Sequence, residues 1–298
     1  MDLQINKKNG ESFTFEEHGV IVKDFIVSSI PLISNYSRVE GSDRQLDNGV
    51  EYGSRTIRVP IHAQSYDLAD FPLLRDKLFS LVTGKESFYI REMRRVKKLA
   101  YAFVDTNEPA RMDSDTDNRF VGGKRYLVRL QNVLEINQIE LSGEGELIFE
   151  TTELPFAESI GTTQDLDRNG LTYDSELWSY GMGLLYDDES HQYTHSNATF
   201  QIYNAGNAEV HPFEQDLKVT IAGASNGYEL TNITTGDAFQ LIEQPSGLIE
   251  LDGANVTDNG LQALRKTNKQ FITLAPGWNH FTQSNNATVS FDFRFYYK

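Results

Sequence analysis

The sequence predicts a mainly β protein of two domains with one α-helix. Three observations carry that prediction. The first is an aromatic ladder near the C-terminus, where Phe291, Phe293, Phe295 and Tyr297 fall two residues apart and share one face of a strand. That much aromatic area on one side requires a second sheet to cover it, so the ladder predicts a β-sandwich. The second is the recurrence of short β-type runs separated by turn signals from Ala198 onward, as in a sandwich or jelly roll. The third is a single helical period, close to residue 78, lying between strand-like runs.

The first domain, a β-sandwich with one α-helix and an extended arm, is expected over residues 1–155. Strand-type runs occur at 3–5, 12–15 and 20–33, with Pro31 placing the last at an edge or an end. Residues 39–53 are polar and Gly-bearing and read as a loop. Residues 54–61 alternate, with Thr56, Arg58 and Pro60 opposite Ile57, Val59 and Ile61, which predicts a half-buried strand. In the helix that follows, Asp70 is placed to cap and Pro72 sits in the first turn, where its missing N–H does no harm. Leu74, Leu78, Leu81 and Val82 form its apolar stripe, and Gly84 stops it. A strand at 87–93 leads into the densest basic cluster, Arg94, Arg95, Lys97 and Lys98. Residues 105–124 form a long polar arm with Asp113, Asp115 and Asp117 alternating, expected to leave the body as an extended hairpin or loop. Strands are expected at 126–130, 134–141 and 146–152. Leu154-Pro155-Phe156-Ala157 closes the domain.

The second domain, 156–298, begins with a glycine-bearing connector at 159–185. Strands are expected at 200–203, 217–222, 229–231, 238–241 and 248–251, then at 271–274, from Trp278, and at 289–297. In the last of these, Ser290, Asp292, Arg294 and Tyr296 oppose the aromatic ladder and face water or a neighbour. There is no internal repeat or low-complexity tract.

The 298-residue chain carries a formal net charge of −16. Residues 1–155 hold 20 of the 27 basic groups against 25 acidic ones, and residues 156–298 hold 7 against 18. An acidic second half argues against specific nucleic-acid binding, which needs clustered cations. Solubility accounts for the excess, and the uneven distribution also suits docking between identical subunits. No apolar run is long enough to span a membrane, and the first residues lack the apolar core of a secretory signal. With no cysteine, disulfides, cysteine–zinc sites and thiol nucleophiles are excluded.

Few motifs suggest chemistry. Asp165-x-Asp167-x-Asn169-Gly170 with Glu176 fits a calcium loop of the EF-hand type, but no helix is expected before it and Thr172 stands where an aliphatic residue belongs, so it reads as a turn in a linker. Gly223-Ala224-Ser225-Asn226-Gly227 has the spelling of a nucleophile elbow, yet a strand-like run follows where a helix is needed. His191 and His195 have helical ligand spacing in a polar loop without a zinc partner. Glu229, Glu243 and Glu250 are the available carboxylates for glycoside hydrolysis, and nothing singles them out. The N-x-Ser/Thr sequons mean little without a secretion route.

Taken in order, several segments resemble the distal tail protein (Dit) family of long-tailed phages infecting Gram-positive bacteria. These are Gly53-Ser54-Arg55-Thr56-Ile57-Arg58-Val59-Pro60, the helix Leu73-Leu74-Arg75-Asp76-Lys77-Leu78-Phe79 and the hinge Leu154-Pro155-Phe156-Ala157-Glu158-Ser159. In the second half they are Phe200-Gln201-Ile202-Tyr203-Asn204-Ala205-Gly206-Asn207, Leu230-Thr231-Asn232-Ile233-Thr234-Thr235-Gly236 and Leu274-Ala275-Pro276-Gly277-Trp278-Asn279. The resemblance implies a structural protein of the virion tail tip, made in the host cytoplasm, without catalytic residues, cofactor or metal. It implies a hexameric ring of N-terminal domains around a channel that DNA traverses, and a galectin-like or carbohydrate-module-like C-terminal β-sandwich projecting outward. The implied partners are further copies of the chain, the tail tube protein, the tail-associated tip protein and a receptor-binding protein. Arg94, Arg95, Lys97, Lys98, Asp113, Asp115 and Asp117 are the candidate inter-subunit residues, with the arm at 105–124 interlocking neighbours. The alternative is a carbohydrate-binding module for host cell-wall glycan, with Trp278, Tyr296 and Tyr297 available to stack sugars if exposed.

Overall fold

The computed structural model describes residues 1–41, 43–94, 122–171, 177–179 and 181–298. The first strands are β1 (Asp2–Asn6), β2 (Ser12–Thr14), β3 (Val20–Val22) and β4 (Ile26–Val27). A hairpin of β5 (Leu32–Arg38) and β6 (Gln45–Tyr52) follows, and then β7 (Thr56–Gln64). Helix α1 (Phe71–Val82) precedes β8 (Phe88–Met93), β9 (Lys124–Leu130), β10 (Ile136–Ile139) and β11 (Ser142–Thr151). The main sheet runs β2-β1-β8-β9-β11-β7-β3, with all pairs antiparallel. It wraps a core of Leu3, Ile5, Ile57, Val59, Ile61, Ile90, Leu147 and Phe149, each at most 1% exposed. The alternation expected in β7 holds, with Ile57, Val59 and Ile61 inward and Arg58 in solvent. Helix α1 lays Leu78 and Val82 into this core. Asp70 is itself in the helical region and makes no side-chain cap. The Asp67 carboxylate accepts its N–H instead, at 2.7 Å.

The expected loop at 39–53 is a correction: most of it is strand β6. The β5–β6 ribbon forms a sheet of its own, off the main body. Every described residue of both strands is exposed, so no burial gradient marked them as strands. The expected arm at 105–124 lies outside the described residues apart from 122–124.

The second lobe contains β12 (Ala157–Ser159), α2 (Thr163–Asn169), β13 (Thr194–His195), β14 (Thr199–Asn204), β15 (Leu217–Ala222) and β16 (Glu229–Asn232). It continues with β17 (Asp237–Gln240), β18 (Ile249–Asp252), β19 (Asn255–Asp258), β20 (Leu261–Gln262), β21 (Gly277–Gln283), β22 (Thr288–Phe293) and β23 (Tyr296–Tyr297). Two sheets, β13-β22-β15-β18-β19-β20 and β14-β21-β16-β17, enclose one aromatic core. Phe291 and Phe293 meet Phe200, Phe281 and Tyr193 across it, with ring centroids 5.0–6.3 Å apart. This is the cover that the aromatic ladder demanded.

Three expectations fail here. Tyr296 is 2% exposed rather than outward. The strand ends at Phe293 and resumes at Tyr296, and Phe295, Tyr296 and Tyr297 are all buried because this terminal segment is packed on both faces. The Tyr296 hydroxyl accepts the Asp216 N–H at 3.0 Å. Within the connector, Thr163–Asn169 is a second helix, begun where the Asp165 carboxylate accepts the Thr162 N–H at 2.8 Å. At seven residues it is too short for a helical period to be read from sequence. The expected strand at 271–274 reduces to one bridge between Leu274 and Val210.

Candidate functional site

The described residues hold no constellation suited to catalysis. Asp165 caps α2, and the Asp167 carboxylate accepts from Thr194 Oγ1 at 2.6 Å and the Tyr193 N–H at 3.2 Å. These two carboxylates of the calcium-type pattern are therefore engaged by protein donors, and Glu176 and Thr172 lie outside the described residues. Ser225 sits in a turn between β15 and β16, its carbonyl accepting the Tyr228 N–H at 3.1 Å. His191 and His195 each place Nε2 against a backbone carbonyl, of Leu185 at 2.8 Å and Gln192 at 3.0 Å. Burial holds the His195 ring below the usual histidine pKa, and it stacks on Phe200 at 4.7 Å. Glu229 and Glu250 stand on different sheets, and Glu250 pairs with Lys218 at 2.9 Å. Among the described residues no group of three or more metal-ligating side chains converges.

The surface offers something else. In the β5–β6 ribbon, register places Leu32 opposite Tyr52, Ser34 opposite Val50 and Ser37 opposite Leu46. A bulge in β6 between Val50 and Asp47 shifts the register by one, so Leu32, Tyr36, Val50 and Tyr52 share one face, and are 64%, 60%, 51% and 47% exposed. Ile33, Leu46 and Glu51 lie on the other face, and Asp47 borders the first beside Tyr36. An isolated two-stranded ribbon is marginal in water, and an amphipathic one leaves its apolar face needing a cover. The sequence held part of the signal: Val50 and Tyr52 alternate with Gly49 and Glu51, but Asn48-Gly49 reads as a turn and is where β6 bulges. At the root, Tyr52 meets Phe156 edge-on at 5.6 Å and the Lys298 ammonium lies 5.2 Å from the Tyr52 ring centre.

A second apolar patch lies beyond the far end of β7. Tyr66, Leu68, Leu73, Ile139 and Leu141 are each at least 40% exposed. Ser65 Oγ donates to the Leu141 carbonyl at 2.9 Å, which ties the end of β7 to the β10–β11 turn. The ribbon enters β7 at Thr56 and the patch begins after Gln64, so about 27 Å of strand separates them.

Of the predicted inter-subunit residues, Arg94 is exposed and its Nε lies 2.5 Å from Glu92 Oε1. Arg95, Lys97, Lys98, Asp113, Asp115 and Asp117 lie outside the described residues.

The two lobes are sewn together by β12, which pairs with β9 on one side and β23 on the other. Arg125 sits beside Glu158 at 2.7 Å and stacks over Tyr89 at 3.8 Å. Burial raises the Glu158 carboxyl above its usual range, and Arg125 offsets part of that. The short phrases that singled out the second half have structural work. Asn204 holds its own turn through the Gly206 N–H and the Ala208 carbonyl, and a Cβ on Gly206 would stand 2.5 Å from the Tyr296 carbonyl. Asn232 Nδ2 donates to the Thr273 carbonyl and to Asn279 Oδ1, at 2.8 and 3.1 Å. Asn279 in turn holds both Ala275 N–H and its carbonyl. These buried amides fix the turn before β21.

Comparison with known proteins agrees with this picture. Residues 8–151 match the family model described as a phage tail protein RIFT-related domain. The crystal structure of the Dit protein of phage SPP1, titled a paradigm of the hub adsorption apparatus in phages infecting Gram-positive bacteria, superposes with a TM-score of 0.61 at 11% identity. The match covers 98% of this chain and 99% of that one, so the shared fold spans both lobes. Chains from the phage p2 baseplate in its activated conformation align over 98% and 99% of this chain, with TM-scores of 0.39 and 0.38 at 9% and 8% identity. They cover 97% of those chains. No curated protein sequence matches.

Proposed function

We propose that this chain, a member of the distal tail protein (Dit) family, is a non-enzymatic hub at the tip of a siphophage tail, assembled as a closed ring of six identical copies. The observation that carries the ring is the pair of different apolar surfaces at opposite ends of β7. A closed ring is built from heterologous contacts, which need two unlike faces on each subunit. In this reading the β5–β6 ribbon of one copy lies on the Tyr66, Leu68 and Leu73 patch of the next. The basic cluster Arg94, Arg95, Lys97 and Lys98 and the acidic Asp113, Asp115 and Asp117 contribute to the same subunit boundary.

The domain division at 155/156 fits this assignment, with residues 1–155 forming the ring and residues 156–298 projecting as a galectin-like lobe. The naming of SPP1 Dit as part of a hub adsorption apparatus supports placing the tail tube protein on one side of the ring and the tail-associated tip protein on the other, with a receptor-binding protein held by the outer lobe. The chain is made in the host cytoplasm and works in the virion, where DNA passes through the ring channel. An acidic protein suits that passage, since it does not hold the phosphate backbone.

Native mass spectrometry of the intact protein tests the assignment. The expected result is a discrete closed oligomer, centred on six copies, that grows with concentration. A chain that stays monomeric at high micromolar concentration overturns the ring.

A further inference from the structure

The two outer faces of the second lobe differ in chemistry. On the β15–β18–β22 side, outward positions carry Lys218, Glu250, Asp252 and Asp292, with Lys218 paired to Glu250 at 2.9 Å. That is an ordinary charged, solvated face. On the β14–β21–β16 side the outward positions are neutral except Glu229 at the end of β16, whose Oε1 accepts from Thr231 Oγ1 at 3.1 Å. Tyr203 is opposite Trp278, Gln201 is opposite His280, and Thr282 is opposite Thr231 on the next strand. Gln201 and His280 are exposed, and the other four are half-buried. Trp278 and Tyr203 meet at 5.0 Å between ring centres with planes 52° apart, forming a corner rather than a flat stack. The Tyr203 hydroxyl donates to the Gly183 carbonyl at 3.0 Å, which fixes that ring in place.

We propose that this face binds a neutral oligosaccharide of the cell surface. An aromatic corner offers an apolar wall to the C–H face of a pyranose ring, while flanking amide, imidazole and hydroxyl groups satisfy its hydroxyls. Trp278, His280 and Thr282 follow one another on a single strand face at intervals of about 7 Å, a run suited to a linear chain of sugars. The charge balance selects against polyanions: the six positions hold no lysine or arginine, and residues 156–298 carry 18 acidic groups against 7 basic ones. Of the aromatics that sequence alone offered for this role, Tyr296 and Tyr297 are buried in the core and only Trp278 reaches the surface. Tyr203 joins it through strand register, which a linear reading does not supply.

The test is titration of the intact protein with chitotetraose and with cellotetraose, followed by calorimetry, with poly(glycerol phosphate) as the anionic comparator. The expected result is saturable binding of at least one neutral tetrasaccharide in the millimolar range or tighter. Trp278→Ala is expected to weaken it by roughly tenfold. The exposed pair Gln201→Ala with His280→Ala, which leaves the core untouched, is expected to weaken it as well, with sedimentation unchanged. Binding of neither tetrasaccharide, binding that both variants leave unaltered, or binding of the anionic polymer alone overturns the proposal. Because oligomer mass is read separately, failure here is distinct from failure of the ring.

Discussion

Replacing Leu32 and Val50 by Asp puts two charges on the apolar face of the β5–β6 ribbon. Both side chains are half exposed or more, at 64% and 51%, so each has roughly half of its hydrophobic contribution still unrealised in the free chain. Fully burying such a side chain is worth about 1.5–3 kcal/mol, so covering the remainder is worth about 1 kcal/mol each. The double variant therefore forfeits about 2 kcal/mol per subunit contact, close to 30-fold in affinity, before any cost of burying carboxylates. Those carboxylates deepen the loss if the neighbour covers them. The folded monomer is expected to be nearly indifferent, within about 0.5 kcal/mol, because the ribbon lies off both cores. The assay pairs sedimentation velocity over a concentration series with thermal unfolding. The expected outcome is a shift to monomer at unchanged melting temperature. An unaltered mass distribution, or a lowered melting temperature with assembly intact, would refute the assignment of the ribbon as an inter-subunit surface.

Reversing Arg94, Arg95, Lys97 and Lys98 to Glu is expected to weaken assembly in a salt-dependent way, and unchanged sedimentation would remove the cluster from the boundary. Phe291→Ala opens the centre of the aromatic core, where Phe291 is fully buried against Phe200 and Phe281, and is expected to cost about 3–5 kcal/mol in denaturant titration. Asp258→Ala removes the carboxylate that accepts the Ser246 and Gly247 N–H groups and pairs with Lys266 at 2.7 Å, with an expected loss of about 2–4 kcal/mol. Burial pulls the Asp258 carboxyl upward, but Lys266 and the two backbone donors outweigh it and hold the group below its ordinary 3.8. Its stabilisation is thus complete above that value and lost as pH falls through the lower folded pKa; acid unfolding of wild type and variant should converge there, and parallel curves would contradict it.

Local patterns were legible where one face of an element is buried and the other is wet. Strand β7 alternates cleanly, and α1 spans 71–82 around the Leu78 and Val82 stripe that the sequence displayed. The aromatic ladder predicted its own covering sheet. The pattern failed where that asymmetry disappears. Residues 45–52 are exposed on both faces, and Asn48-Gly49 disguised a strand as a turn. Residues 295–297 are buried on both faces, so period two no longer separated Tyr296 from its neighbours. Helix α2 is seven residues long, and its opening signal was Thr162 followed three residues later by Asp165, within a run that also spells a calcium loop.

By itself the sequence determined that this is a mainly β, cysteine-free, acidic chain, because alternation of side chains and ionic composition are properties of neighbouring residues. Only the tertiary structure decided which surfaces remain uncovered. The apolar face of the ribbon, the patch beyond Gln64 and the Tyr203–Trp278 corner each depend on register between strands or on packing between distant segments, and those are set by the closing of the whole core.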